Sequence, residues 1–182
     1  MDEFRSKDIL EKLLDAITAE EVMAILDKQN FTDADWKAYG GTEANYDRVG
    51  NQQSRGLSAL TGLLTNSIDS ILCRKVIESG MDVTGKNAPQ TMQDALRDAC
   101  KIQEGRISHL DSKQKSKLAE KSILIGVKRR SGFRKFPTMT IFDFGEGQNP
   151  DDFPETFVSL SNGNKVSIPF VQGKYNMGST GS

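Results

Sequence analysis

Between Ser54 and Ser79 the apolar residues Leu57, Leu60, Leu63, Leu64, Ile68, Ile71, Leu72 and Val76 recur three and four positions apart. That spacing puts them on one face of an α-helix and makes the face core. A stripe of this length commits the chain to one long helix with other elements packed against it. Two strand-like runs follow, Ser122-Ile123-Leu124-Ile125-Gly126-Val127 and Thr138-Met139-Thr140-Ile141-Phe142. Their β-branched and aromatic content predicts strands, and Arg130-Ser131-Gly132-Phe133-Arg134 reads as a hairpin connection.

The remaining segments are shorter. Residues 6 to 28 read as two helices, the first capped by Ser6 and the second by a Thr18 to Glu21 capping box. They carry no chemistry and are expected to serve as an N-terminal packing or dimerisation element. Residues 30 to 53 mix glycines, amides and aromatics, the pattern of an ordered surface loop. Asn87 and Pro89 open a further predicted helix, ending near Gln103. Gly105 to Lys121 is lysine-rich, either a surface helix or an insertion. Pro150 to Leu160 has the apolar content of a short helix.

Composition narrows the function classes. The chain has 182 residues, with 36% hydrophobic and 27% charged, enough for one domain with a real core. Its net charge of -1 and pI near 5.9 give no basic field, so nucleic acid is a possible partner that net charge does not support. The local basic cluster Lys128-Arg129-Arg130 and Arg134-Lys135 fits a solvated hairpin. No apolar run approaches the roughly 20 residues that cross a bilayer, so no membrane contact is expected. The charged start Met1-Asp2-Glu3-Phe4-Arg5 lacks a secretory apolar region, and the expected location is the cytoplasm. Cys73 and Cys100 form neither a disulfide framework nor a metal site. His109 is the single histidine, which excludes a histidine-based metal cluster within this chain.

Three short stretches carry chemistry. Asp143-Phe144-Gly145-Glu146-Gly147 follows the second strand directly. A carboxylate there can accept a hydrogen bond from an exocyclic amine, and Gly145 and Gly147 let a flat ring approach the backbone. Asn149 follows as a polar neighbour. Asn66-Ser67-Ile68-Asp69 lies on the long helix, with Asn66 and Asp69 three apart beside the apolar face. An amide oxygen suits a hard cation such as Mg²⁺. Gly173-Lys174-Tyr175-Asn176-Met177-Gly178-Ser179-Thr180-Gly181 is glycine-rich, and successive N–H groups in such a loop cradle phosphate oxygens. It is not a P-loop, because no G-K-[ST] follows at the required spacing.

In this order, the three stretches resemble the gyrase, heat-shock chaperone, histidine kinase and MutL (GHKL) ATPase superfamily. Leu63-Leu64-Thr65-Asn66-Ser67-Ile68-Asp69-Ser70 resembles its N-box and Asp143, Gly145 and Gly147 its D-x-G-x-G. The terminal segment resembles its ATP lid. The resemblance implies a two-layer α/β sandwich, a mixed sheet with helices on one face, over residues 51 to 182 and preceded by a helical element over 1 to 50. It implies ATP as ligand, with Asp143 reading the adenine amine beside Gly145 and Gly147. Asn66 would hold Mg²⁺, Asp69 would support the helix or its waters, and Asn149 would border the site. Lys174, Gly178, Ser179, Thr180 and Gly181 would meet the phosphates. Domains of this type commonly act as ATP-gated clamps that dimerise, so a homodimer or the rest of a larger protein is the expected partner. The stretches around Gly50-Asn51-Gln52-Gln53 and Tyr175-Asn176-Met177 are similar to bacterial proteins of phage defence or DNA processing.

Two departures qualify these implications. The family's general base is a glutamate four residues before the N-box asparagine, where this chain has Gly62. Glycine cannot take a proton, so weak or absent hydrolysis is expected. The chain also stops inside the expected phosphate loop, which implies a fragment whose sheet is incomplete. A non-catalytic interaction or scaffold module with a degenerate nucleotide site is the alternative. A histidine-kinase reading lacks a phosphoacceptor-helix context around His109. A protein-kinase reading of Asp143-Phe144-Gly145 lacks the H-R-D, V-A-I-K and A-P-E sequences.

Overall fold

The computed structural model describes residues 3–32, 36–38, 56–128, 138–153, 156 and 165–173. The chain divides into two compact units, Met1–Ala38 and Tyr39–Ser182. The first is a helical hairpin of α1 (Glu3–Asp15) and α2 (Ala19–Asp27). The Thr18 side chain accepts from the Glu21 N–H, and the Glu21 carboxylate reaches back to the Ile17 N–H at 2.6 Å. These contacts satisfy donors that the first turn of α2 would otherwise leave open.

The second unit is mixed α/β. Its axis is α3, Gly56–Glu78, over the expected span, but the expected core face holds only in part: Leu72 and Val76 are buried, Leu57 and Ile68 are exposed, and Ser67 and Asp69 are buried in their stead. The helix stops where Gly80 takes φ +77°. There Met81 N–H bonds to Val76 C=O and Gly80 N–H to Ile77 C=O. This pair of bonds is a Schellman cap, which needs a left-handed residue and so favours glycine. Helix α4 covers Met92–Asp98 and α5 Ser112–Glu120. Strands β1 (Ile123–Lys128) and β2 (Thr138–Asp143) pair antiparallel, Ile123 opposite Asp143 and Lys128 opposite Thr138. Helix α3 packs on β2, and α5 on β1.

Several expectations change in detail. The helix expected from Asn87 to Gln103 is much shorter. Thr91, not Asn87, is its N-cap, accepting from the Asp94 N–H at 3.1 Å. It cannot run on to Gln103 because Lys101 has φ +57°. The lysine-rich stretch resolves as a helix, α5, because Asp111 and Gln114 form a reciprocal capping box. Pro150–Asp152 is a single 3₁₀ turn. Most of the 30–53 loop, the hairpin connection with Arg129, Arg130, Arg134 and Lys135, and residues 157–160 lie outside the described residues. Among the described residues the sheet has two strands, and none of the helices is long and apolar enough to cross a membrane.

The core joins α3 to two sequence-distant pieces. Leu72, Cys73 and Val76 from α3 meet Ala95 from α4 and Phe170 and Val171 from the C-terminal segment. Burial, aided by the nearby Glu146 and Asp69 charges, pushes the Cys73 thiol up to about 12. Burial also raises the Cys100 thiol. Both are therefore thiols at neutral pH, small core residues rather than nucleophiles.

Among the described residues one acidic side chain is fully buried, Asp69 at 0% exposure. Its Oδ1 accepts the Gln172 N–H at 2.9 Å and its Oδ2 the Gly173 N–H at 2.8 Å. Two backbone donors compensate the cost of taking this carboxylate out of water. The result pins the C-terminal segment to α3 next to Phe170 and Val171. Replacing Asp69 by Asn turns one acceptor into a donor aimed at an N–H. We expect Asp69→Asn to lower the unfolding free energy by about 2–4 kcal/mol. Urea denaturation should show a lower midpoint at unchanged slope.

Candidate functional site

Four residues of α3, Leu63, Asn66, Ser67 and Ser70, share one face, since 63 and 66, 63 and 67, 66 and 70, and 67 and 70 are three or four apart. They form one wall of a cavity of about 370 Å³. The facing wall comes from the end of β2 and the turn after it, with Ile141, Asp143, Glu146, Gly147 and Gln148. Phe153, Thr156 and Lys165 complete it. The volume is in the range of small-molecule pockets, about 300–1,000 Å³.

The turn after β2 is held to α3 by Ser70 and Arg74. Glu146 N–H donates to Ser70 Oγ at 3.1 Å. Arg74, one helical turn further on, donates from Nη1 to Phe144 C=O at 3.0 Å, and its Nε is braced by Glu78 at 2.7 Å. Gly145 makes this closeness possible: a Cβ there would lie 2.0 Å from Ser70 Oγ. Within the turn, Gly145 N–H donates to Asp143 Oδ1 at 3.0 Å, an Asx-type bond that fixes the carboxylate. The second Asp143 oxygen has no partner among the described residues, so an acceptor at the strand end is left for a ligand. Gly147 has φ +70°, which a side chain would strain.

The electrostatics are mixed. Partial burial raises the Glu146 carboxyl, and the Lys165 charge opposes that only in part. Lys165 Nζ lies 3.4 Å from Asn66 Oδ1, a long hydrogen bond across 99 positions of sequence. Gly173 comes close to the same amide, and a Cβ on it would be 3.1 Å from Asn66 Oδ1.

Asn66, Asp143 and Gly147 thus line one cavity, and Gly145 supports it through Ser70. Asp69 faces away into the core contact described above, and does not line the cavity. Asn149 is exposed and its side chain accepts the Asp151 N–H at 3.4 Å, capping the 3₁₀ turn. Gly62 lies on α3 one turn before Asn66. Lys174, Gly178, Ser179, Thr180 and Gly181 lie outside the described residues. Among the described residues no group of three His, Cys, Asp or Glu side chains is placed to hold a metal. Arg74 and Lys165 have no motif that singles them out, and Ser70, at the end of the N-box-like stretch, is given no role by it; the docking of distant segments reveals all three. Glu146 sits between the motif glycines, and its place in the cavity sets it apart from other surface carboxylates.

Comparison with protein-family models, curated proteins and solved structures gives no match.

Two outcomes follow from this geometry. Gly145→Ala should destabilise the fold by about 3 kcal/mol through overpacking on Ser70, and Ser70→Gly in the same chain should restore part of the loss in thermal or urea unfolding. Glu146 has a raised pKa when folded, so protonation favours the native state. Its contribution is present below the ordinary value of 4.5 and is lost as pH rises through the raised folded value. Glu146→Gln should therefore flatten the decline in stability across that window and be more stable than the parent at neutral pH.

Proposed function

We propose that the second unit is an ATP-binding domain of the GHKL type, with the nucleotide held between the Asn66 face of α3 and the Asp143-Gly145-Gly147 turn. One observation carries the reading. Asn66 and Asp143 are 77 positions apart in sequence, yet they line one cavity whose size suits a small ligand. The packing of α3 on β2 brings the two elements together, and the cavity between them then holds both residue types that the nucleotide reading needs.

Each side chain then has a role set by its chemistry. Asp143 spends one oxygen on the Gly145 N–H, and its other oxygen accepts from the exocyclic amine of adenine. Gly147 lets the ring lie against the backbone. Asn66 presents an amide oxygen toward the phosphate end, the donor type that suits Mg²⁺. The ion would add charge that draws in the phosphates. Asp69 holds the segment leading to the phosphate loop, where Lys174, Gly178, Ser179, Thr180 and Gly181 are expected to act. In this reading the two described strands belong to a larger mixed sheet in a two-layer sandwich. That assignment accounts for Leu124, Val127 and Phe142, which are 49%, 60% and 55% exposed on the two-stranded sheet.

Hydrolysis is a separate matter. Gly62 supplies no base at the position where a glutamate would orient water. The domain is therefore read as an ATP-gated clamp with slow turnover, acting as a dimer or with further chain. A non-catalytic scaffold with a degenerate nucleotide site is the reading that fails to need Asp143.

Calorimetric titration of the parent chain with a non-hydrolysable ATP analogue separates the two. We expect saturable binding that Asp143→Ala weakens at least about tenfold, the loss of one well-placed buried hydrogen bond. Binding unaffected by Asp143→Ala, or none, favours the scaffold. Gly62→Glu should raise the rate of phosphate release from ATP by about 10²-fold or more, the scale of one positioned base; an unchanged rate would count against the assigned polarity of the site.

A further inference from the structure

Lys165 is the one cationic side chain lining the cavity among the described residues, against the carboxylates of Asp143 and Glu146. It sits where the nucleotide reading expects a different cation. Its ammonium is 3.4 Å from Asn66 Oδ1, the oxygen expected to meet Mg²⁺. Gly173 flanks the same oxygen, close enough that a Cβ would stand 3.1 Å from it. A bound Mg²⁺ holds its ligands at about 2.0–2.1 Å in a near-ideal octahedron and keeps several waters. Asn66 has the right kind of ligand atom for it, yet the Lys165 ammonium and the Gly173 backbone both lie close to Oδ1.

Lys165 is not on a free arm. It is half-buried, and the segment it begins is held by Phe170 and Val171 in the core and by both Asp69 oxygens. No carboxylate lies within ion-pair distance of Lys165 among the described residues. An ammonium with one long hydrogen bond to an amide has two further donors. Phosphate oxygens are acceptors that match them. Glu146 lines the same cavity and makes no ion pair with Lys165 among the described residues.

We propose that Lys165 takes the place of the divalent cation at Asn66, so that this cavity binds an oligophosphate group without Mg²⁺. Asn66 then acts as a positioning residue: its amide oxygen orients the Lys165 ammonium toward the phosphates instead of ligating a metal. The ligand class is a nucleoside di- or triphosphate, which rests on the ATP reading above, and the shared chemistry would also admit inorganic triphosphate.

The test is a calorimetric titration of the full chain with two probes, inorganic triphosphate and a non-hydrolysable ATP analogue. Each is titrated in EDTA and in Mg²⁺ at matched ionic strength, for the parent, Lys165→Met, Lys165→Arg and Asp143→Ala. We expect the parent to bind both probes in EDTA, with Mg²⁺ changing Kd by less than about threefold. Lys165→Met should weaken binding in EDTA at least about tenfold, the loss of one charge-assisted contact, and Lys165→Arg should keep most of it. Mg²⁺ should restore Lys165→Met toward the parent, because removing the ammonium opens Asn66 Oδ1 to the metal. Unchanged thermal midpoints in the two Lys165 variants exclude misfolding as the cause.

Binding by the parent that requires Mg²⁺, Lys165→Met equal to the parent in EDTA, or no binding of either probe in EDTA overturns the inference. The ATP reading fails separately: triphosphate binding that depends on Lys165, with no added affinity for the analogue and no effect of Asp143→Ala, keeps the Lys165 assignment and removes adenine.

Discussion

A buried carboxylate accepting two consecutive backbone N–H groups ties this molecule together. Asp69 is fully enclosed, and Gln172 and Gly173 donate to its two oxygens. That bond pair fixes the backbone of the C-terminal segment beside the apolar contacts of Ile168, Phe170 and Val171. It thereby helps to set where Lys165 meets Asn66. The same helix that supplies Asp69 also supplies the wall of the cavity, one residue over at Ser70 and three residues back at Asn66. Core packing and site geometry therefore share a single element, and a change at Asp69 acts on both. The cost of burying a charge is met by donors that are themselves fixed in the chain, which is why the anchor is rigid as well as strong.

The turn after β2 is held by the opposite logic, closeness instead of charge. Gly145 removes a side chain so that Ser70 Oγ can reach the Glu146 N–H. Arg74, braced by Glu78, closes over the carbonyl of Phe144. Asp143 is thus fixed from its own turn and from α3, while its second carboxylate oxygen has no partner among the described residues. A recognition group needs this combination: locked orientation with an unspent acceptor. Lys165, from a third segment, adds a charge that neither motif contains.

Legibility in the sequence followed the range of the forces involved. Helix α3 was plain because its apolar residues repeat over many turns, and the two strands because their residues are β-branched and bounded by turn formers. The convergence of Asn66 and Asp143 came from matching motif order to a family. Asp69 read as a helper of the site, although its real partners are main-chain N–H groups that have no residue identity to read. The glycine-rich stretch marks Lys174 in the sequence, whereas the Lys165 contact with Asn66 joins residues 99 positions apart and leaves no local pattern. The helix from Thr91 was overextended because Asn87 and Pro89 resemble a start, and the left-handed Lys101 leaves no compositional mark.

The central claim is that two sequence-distant motifs form one ligand site. The most direct measurement is a heteronuclear amide-shift titration of the full chain with a non-hydrolysable ATP analogue. The account predicts that the amides of Asn66 to Ser70 and of Asp143 to Gly147 shift together, along a single binding isotherm, while those of α1 and α2 stay in place. Shifts confined to one of the two stretches, or two isotherms with different affinities, would contradict it.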